Sequence, residues 1–222
     1  MKNIFFCCII LVFAFGCRKS NNNNNSGNQN ATDIFPNKVG DTWVYLVNDT
    51  TVYAFSGQRN TVAQYNMTIS VIDSVQLPES IHGIQLPKGI EANVWVYNYP
   101  GGTDTNYVFQ KGDTIFFFKI NQISKSYARQ YIIPLSLHNS WQYTVGGLGE
   151  VAVDSQADII VGQNHFDNVF HIYGNGGMPD EGFSVEEWIE NNAGIIKRYL
   201  QTDGTSGANH FTKWSLVSYH LK

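Results

Sequence analysis

A two-residue period is the strongest constraint on this chain. Residues 42–47 (TWVYLV) place Trp43, Tyr45 and Val47 on one side, and residues 64–75 (QYNMTISVIDSV) do the same with Tyr65, Met67, Ile69 and Val71. Residues 92–99 carry Trp95, Tyr97 and Tyr99 in the same alternation, and shorter versions recur at 107–110, 114–120, 129–133, 141–145, 158–161, 168–173 and 210–221. Successive side chains on a strand point to opposite faces, so this period is buried by a sheet with one apolar face and not by a helix. Turn formers stand between the segments: Asn48-Asp49, Leu86-Pro87-Lys88-Gly89, Pro100-Gly101-Gly102, Lys111-Gly112-Asp113 and the stretch 174–179. Only residues 184–200 (SVEEWIENNAGIIKRYL) also fit a helical spacing. There Asn191-Asn192-Ala193-Gly194 would interrupt a helix, so the preferred reading is a strand through Trp188, a turn, and a strand over 195–200, with a short helix as the alternative.

The expected fold is therefore all-β: a curved antiparallel sheet, sandwich or half-barrel, with at most short helices. Composition agrees, with 12 Tyr, 14 Phe and 5 Trp beside only 14% charged residues. The sequence also echoes itself. PNKVGDTWVY (36–45) and PLSLHNSWQY (134–143) share a proline, a tryptophan seven residues later and a tyrosine two after that. Each reads as a loop, a polar turn and a strand with Trp and Tyr on one face, which suggests two similar half-units inside a single domain spanning 34–222.

The N-terminus carries the clearest statement about location. Lys2 precedes an apolar run, IFFCCIILVFAF, at residues 4–15. Twelve helical residues reach about 18 Å, short of a ~30 Å hydrocarbon core, so the run reads as a secretory signal rather than a span. Gly16-Cys17 closes it and resembles the lipobox of bacterial lipoproteins, in which the cysteine is acylated and becomes the new N-terminus. An ordinary signal peptide cut elsewhere is the alternative. Cleavage before Cys17 removes Cys7 and Cys8 and leaves no free thiol for a disulfide, a metal or a nucleophile. It also removes one basic residue and no acidic one, turning the net charge of −4 into −5. Residues 18–33 are polar and asparagine-rich, too poor in apolar surface to offset ordering, and are expected to form with Cys17 a tether of about 20–24 Å reach. By resemblance to Gram-negative lipoproteins, Arg18 after the cysteine implies the outer membrane, and the lack of acidic residues before Asp33 implies its periplasmic side.

Four stretches, FPNKVGDTWVY, the second Pro…Trp-x-Tyr, VGQNHFDNVFHI (161–172) and WIENNAGIIKRY (188–199), resemble a loose group of uncharacterised bacterial lipoproteins with a Pro…Gly-Asp-x-Trp opening strand. The second opening carries His138 where the group has glycine. The resemblance implies fold-defining turns and core strands, and brings no activity or catalytic residue with it.

The search for chemistry gives few candidates. No Gly-x-Ser-x-Gly elbow is present, and Gly146-Gly147-Leu148-Gly149 lacks the following helix that would cradle a phosphate. The six histidines show no metal-ligand spacing; His165 and His171 are six apart with Asp167-Asn168 between them. No metal or other cofactor is implied. Asp180, Glu181, Glu186 and Glu187 form the densest acidic stretch, able in principle to bind a cation or to act as acid and base on a glycan. On a strand, Glu186 would share a face with Trp188 and Glu187 with Ile189; a solvated strand edge is the plainer reading. Tyr97, Tyr99 and Tyr107 flank a glycine-rich turn and could stack on sugar rings, core packing being the plainer reading. The weakly acidic balance argues against nucleic acid. The expectation is a membrane-anchored envelope protein, held by acyl chains on Cys17, that binds a protein, glycan or lipid partner or has a structural role. The alternatives are a glycan-acting hydrolase using the 180–190 carboxylates and a carrier of a hydrophobic ligand.

Overall fold

The computed structural model describes residues 35–53, 60–81, 84–86, 88–119, 128–142, 149–178, 181–203 and 207–222. The described residues form fourteen strands and no helix. In chain order these are β1 (Thr42–Tyr53), β2 (Thr61–Gln76), β3 (Ser80–Ile81), β4 (Ile84–Gln85), β5 (Glu91–Tyr99), β6 (Gly102–Lys111) and β7 (Thr114–Phe118). They continue as β8 (Ala128–Ile132), β9 (Ser140–Gln142), β10 (Gly149–Val161), β11 (Asn164–Met178), β12 (Glu181–Glu190), β13 (Gly194–Asp203) and β14 (Ala208–His220).

Twelve of them make one antiparallel sheet in the order β8-β7-β6-β5-β2-β1-β14-β13-β12-β11-β10-β9, and β3 pairs with β4 as a separate small hairpin. Chain neighbours β8 and β9 are thus the two edges. In a flat sheet, β8 and β12 would lie roughly 38 Å apart at about 4.8 Å per step. Yet the Tyr131 hydroxyl on β8 donates to Glu187 Oε2 on β12 at 2.9 Å. The sheet therefore curls on itself, almost closing a barrel. The inner face holds one core in which Trp43, Tyr45, Ile69 and Trp95 of the first strands pack with Trp141, Val153, Ile172 and Ile196 of the last. A second, smaller core lies on the outer face, where Phe109, Phe116 and Phe118 are covered by Leu77 and Leu86.

The half-units expected from the echo are visible in the backbone. β1-β2-β5-β6-β7-β8 and β9 to β14 are each a six-stranded meander, joined through the β1–β14 pair. In the first half, Gly40 (φ 101°) donates its amide to Val71 O and Asp41 O accepts from Val71 N. In the second, His138 (φ 67°) donates to Val153 O and Asn139 O accepts from Val153 N. Both valines are followed by a bulge, Val71/Asp73 on β2 and Val153/Ser155 on β10. His138 adopts the left-handed conformation that glycine supplies in the first copy, a conformation unfavourable for a residue with a Cβ.

Two turn assignments are corrected. Asn48-Asp49 is not a turn: β1 runs through it in continuous register with β2 and β14. Cross-strand side-chain bonds hold these polar residues in the strand, Gln64 Nε2 donating to Asn48 Oδ1 at 2.8 Å and Tyr65 OH to Asp49 Oδ2 at 2.5 Å. Nor does the chain break at Gly174: β11 continues to Met178. Glycine is required there by crowding, since a Cβ on Gly174 would stand 2.8 Å from Val151 Cγ2 and 3.2 Å from Val185 Cγ1. The ambiguous stretch at 184–200 is the hairpin β12–β13, turned at Gly194 (φ 78°). Its turn carries Ala193, which is wholly buried and whose carbonyl accepts from Trp43 Nε1 at 2.8 Å.

Candidate functional site

Along the first strands, the inward rows change character from one end of the sheet to the other. On β1 the row runs Trp43, Tyr45, Val47 and then Asp49; on β2, Val71, Ile69, Met67 and then Tyr65. On β14 it runs Leu216, Trp214, Thr212. The apolar ends meet in the core. The polar and aromatic ends stand apart and leave a cleft of about 510 Å³. Its wall comprises Asp49, Tyr65 and Met67 from β1 and β2, and Tyr97, Tyr99, Asp104, Asn106 and Phe117 from β5 to β7. Lys119, Gln130 and Tyr131 complete that side, and Ile195, Arg198, Leu200, Thr212 and Trp214 face them from β13 and β14. This size lies in the range of small-molecule sites, about 300–1,000 Å³.

Both cations of the cleft wall are paired with a carboxylate. Glu187 and Arg198 are direct cross-strand partners on β12 and β13, with Arg198 Nε 3.1 Å from Glu187 Oε1. Glu187 is only 2% exposed and sits behind the wall, where Tyr131 OH and Gln130 Nε2 (3.3 Å) donate to Oε2. The Arg198 guanidinium carbon lies 4.8 Å from the centre of the Trp214 ring, its other cross-strand neighbour. Lys119 pairs with Asp104 on the opposite wall. Asp49 accepts from Tyr65 through Oδ2, while its Oδ1 is shut from solvent and has no hydrogen-bond partner among the described residues. Tyr45, Tyr65, Tyr97 and Tyr131 are held neutral. Burial pushes Tyr97 up to about 12, and burial followed by the bond to Asp49 pushes Tyr65 further above its ordinary value. Burial, reinforced by the negative charge of Glu187, raises Tyr131, and burial raises Tyr45, whose hydroxyl donates to Ile195 O at 2.7 Å.

The candidate residues from the sequence divide accordingly. Tyr97 and Tyr99 line the cleft. Tyr107 does not join them: it faces outward on β6 and packs against the smaller core. Glu186 and Glu187 are placed on opposite faces of β12. Glu187 points into the curl, and Glu186 Oε2 lies 3.4 Å from His171 Nε2 on the outside. There His171 also meets Asp154 Oδ1 at 2.7 Å and stacks on Trp188, over which Lys197 Nζ sits at 4.0 Å. Glu181 opens β12, and Asp180 and Cys17 lie outside the described residues. His165 is remote from His171; with Asp158 and Asp167 it forms an exposed group on the β10–β11 hairpin with ligand atoms within 4.8 Å of one another. Asp49, Tyr65, Asp104, Lys119, Gln130, Arg198 and Trp214 were not singled out from sequence. The one local signal was the polar pair Asn48-Asp49 inside an otherwise alternating run.

The described residues form a curled, nearly closed antiparallel sheet built of two meanders, with a mixed aromatic and polar opening. No family model matches the chain, and no curated protein matches it. Two solved structures are similar in fold. One is a candidate lipoprotein of Parabacteroides distasonis, with a TM-score of 0.40 and 13% identity, covering 86% of this chain and 100% of that one. The other is a candidate exported protein with a YmcC-like fold from Bacteroides fragilis, with a TM-score of 0.41 and 10% identity, covering 83% of this chain and 99% of that one.

Proposed function

We propose that this protein is a lipid-anchored component of the bacterial cell envelope, tethered through Cys17 on the periplasmic side of the outer membrane, that binds a small ligand in the cleft. One observation carries the binding reading: the inward rows that build a filled core at one end turn aromatic and polar at the other and leave a hollow of ligand size. Binding is favoured over catalysis because the one deeply buried carboxylate there, Glu187, is held by Tyr131, Gln130 and Arg198 rather than presented to the cleft. It is favoured over carriage of a purely apolar molecule because charged side chains stand in the wall.

Thermal melting of the full chain in the presence of the deproteinised small-molecule fraction of an envelope extract tests the binding. A ligand that occupies the folded cleft raises Tm by mass action. Leu200→Trp, which fills the cleft from β13, should abolish that rise; a rise that survives it places the ligand elsewhere. For the anchor, metabolic labelling with a fatty-acid analogue should mark the wild type and not Cys17→Ser, and an unlabelled wild type overturns the lipid attachment.

A further inference from the structure

We propose that the ligand of the cleft is a saccharide, with a sugar ring laid against Tyr99 and Tyr97 and its hydroxyls bonded to the paired charges of the wall. This rests on the reading of the cleft as a binding site and names the chemistry it selects.

The duplicated architecture supplies an internal control. Measured from the two equivalent valines and their bulges, Ile69↔Tyr97 in the first half corresponds to Val151↔Gly174 in the second. Two residues further along, Tyr99 corresponds to Gly176. The fold therefore accepts glycine at both positions. In the second half Val185 stands beside Gly174, and Phe183 stands beside Gly149, the cross-strand partner of Gly176, where the first half carries the Tyr97 and Tyr99 rings. Aromatic rings at positions that the backbone does not need them to fill, beside the opening of the cleft, are surfaces for something else to pack on. Tyr99 stands at the mouth, 38% exposed, with the Tyr65 ring 6.5 Å away.

The polar groups select among ligands. The wall offers an acceptor and donors together: Asp104 beside Lys119, and the Arg198 guanidinium, whose partner Glu187 lies behind it. An organic cation would meet Lys119 and Arg198 as well as Asp49 and Asp104, so the wall offers it no net attraction of charge. An acyl chain would have to dehydrate all of these groups without replacing their hydrogen bonds. A sugar hydroxyl both donates and accepts, so it can bridge a carboxylate and a neighbouring cation, while the C–H face of the ring stacks on an aromatic side chain.

The test follows tryptophan fluorescence of the full chain, kept in a detergent without a sugar headgroup. It is titrated separately with cellotetraose, maltotetraose, xylotetraose, N-acetylchitotetraose, palmitate and choline. A saturable change with at least one of the four glycans is expected. It should weaken about tenfold in Tyr99→Ala, as truncated aromatic anchors do. It should be unaffected in Tyr173→Ala, an exposed tyrosine on the outer face. Glycan binding undiminished in Tyr99→Ala overturns the proposal. Binding of palmitate or choline alone, lost in Tyr99→Ala, overturns the saccharide and keeps the cleft as a site. Binding of none of the six overturns both.

Discussion

Replacing Glu187 by alanine tests the account of how the sheet is held curled. The carboxylate joins three strands: it faces Arg198 on β13, and Tyr131 and Gln130 on β8 bond to it across the interior. Removing one partner of a buried ion pair costs about 3–5 kcal/mol, because the surviving charge loses its counter-ion. Arg198 is 18% exposed at the cleft, so water reaches part of its guanidinium and draws the figure down. Tyr131, only 1% exposed, loses its acceptor, and an unsatisfied buried hydroxyl adds about 1–3 kcal/mol. A net loss of about 4 kcal/mol results, a large part of a typical 5–15 kcal/mol total. Urea unfolding of wild type and Glu187→Ala, monitored by tryptophan fluorescence, measures it. The double variant Glu187→Met/Arg198→Met, which removes both charges and keeps bulk, should recover more than half of the loss. A single-variant loss below about 1 kcal/mol, against an expectation of 3–5 for a buried pair, would refute the view that Glu187 pins the curl.

Two further perturbations bear on the core and on the neutral tyrosines. Trp43→Ala and Trp141→Ala should each lose about 3–5 kcal/mol in the same urea assay. Trp43 should lose the more, because it stacks on Trp95 at 5.0 Å and donates to Ala193 O, whereas Trp141 sits on the short edge strand β9; near-wild-type stability in either shows that its ring is not core. The raised tyrosines make stability fall above about pH 10. The unfolded chain releases tyrosine protons from the ordinary value of 10.0, while Tyr97 in the folded state keeps its proton to about 12 and Tyr45, Tyr65 and Tyr131 are raised as well. Each tyrosine so held contributes a slope of about 1.4 kcal/mol per pH unit in that window, so Tyr97→Phe should flatten the fall measured by urea unfolding between pH 10 and 12. An unchanged slope in that variant would count against a half-buried, neutral Tyr97.

Much of the fold is written in local pattern. The period of two in TWVYLV and QYNMTISVIDSV gave the strands because those segments bury one face only. Asn191-Asn192-Ala193-Gly194 gave the β12–β13 hairpin because glycine at φ 78° suits a reversal. The repeated Pro…Trp-x-Tyr gave the two halves because each copy uses the same backbone bonds to Val71 and Val153. Where local chemistry misled, the deciding partner was distant in sequence. Asn48-Asp49 resembles a turn until Gln64 and Tyr65 are set across from it. Gly174 looks like a break until Val151 and Val185 crowd its Cα. The cleft was hidden for the same reason on a larger scale. Its walls come from eight strands, and the pairing of Glu187 with Arg198 is fixed by register, which spacing along the chain does not reveal.

The join between the halves bears on the order in which the protein can be made. β1 lies at the centre of the sheet, and one of its two neighbours is β14, with Thr42 opposite His220. During synthesis β1 can zip at once onto β2, but its other edge stays bare until every intervening strand has been produced. A contact that spans nearly the whole chain closes slowly, since loop entropy must be overcome before the ladder gives anything back. Meanwhile an unpaired edge with inward-facing Trp43, Tyr45 and Val47 is open to pairing with another copy. The nascent first half is therefore the species most in need of a chaperone, and that need ends when β14 docks along β1.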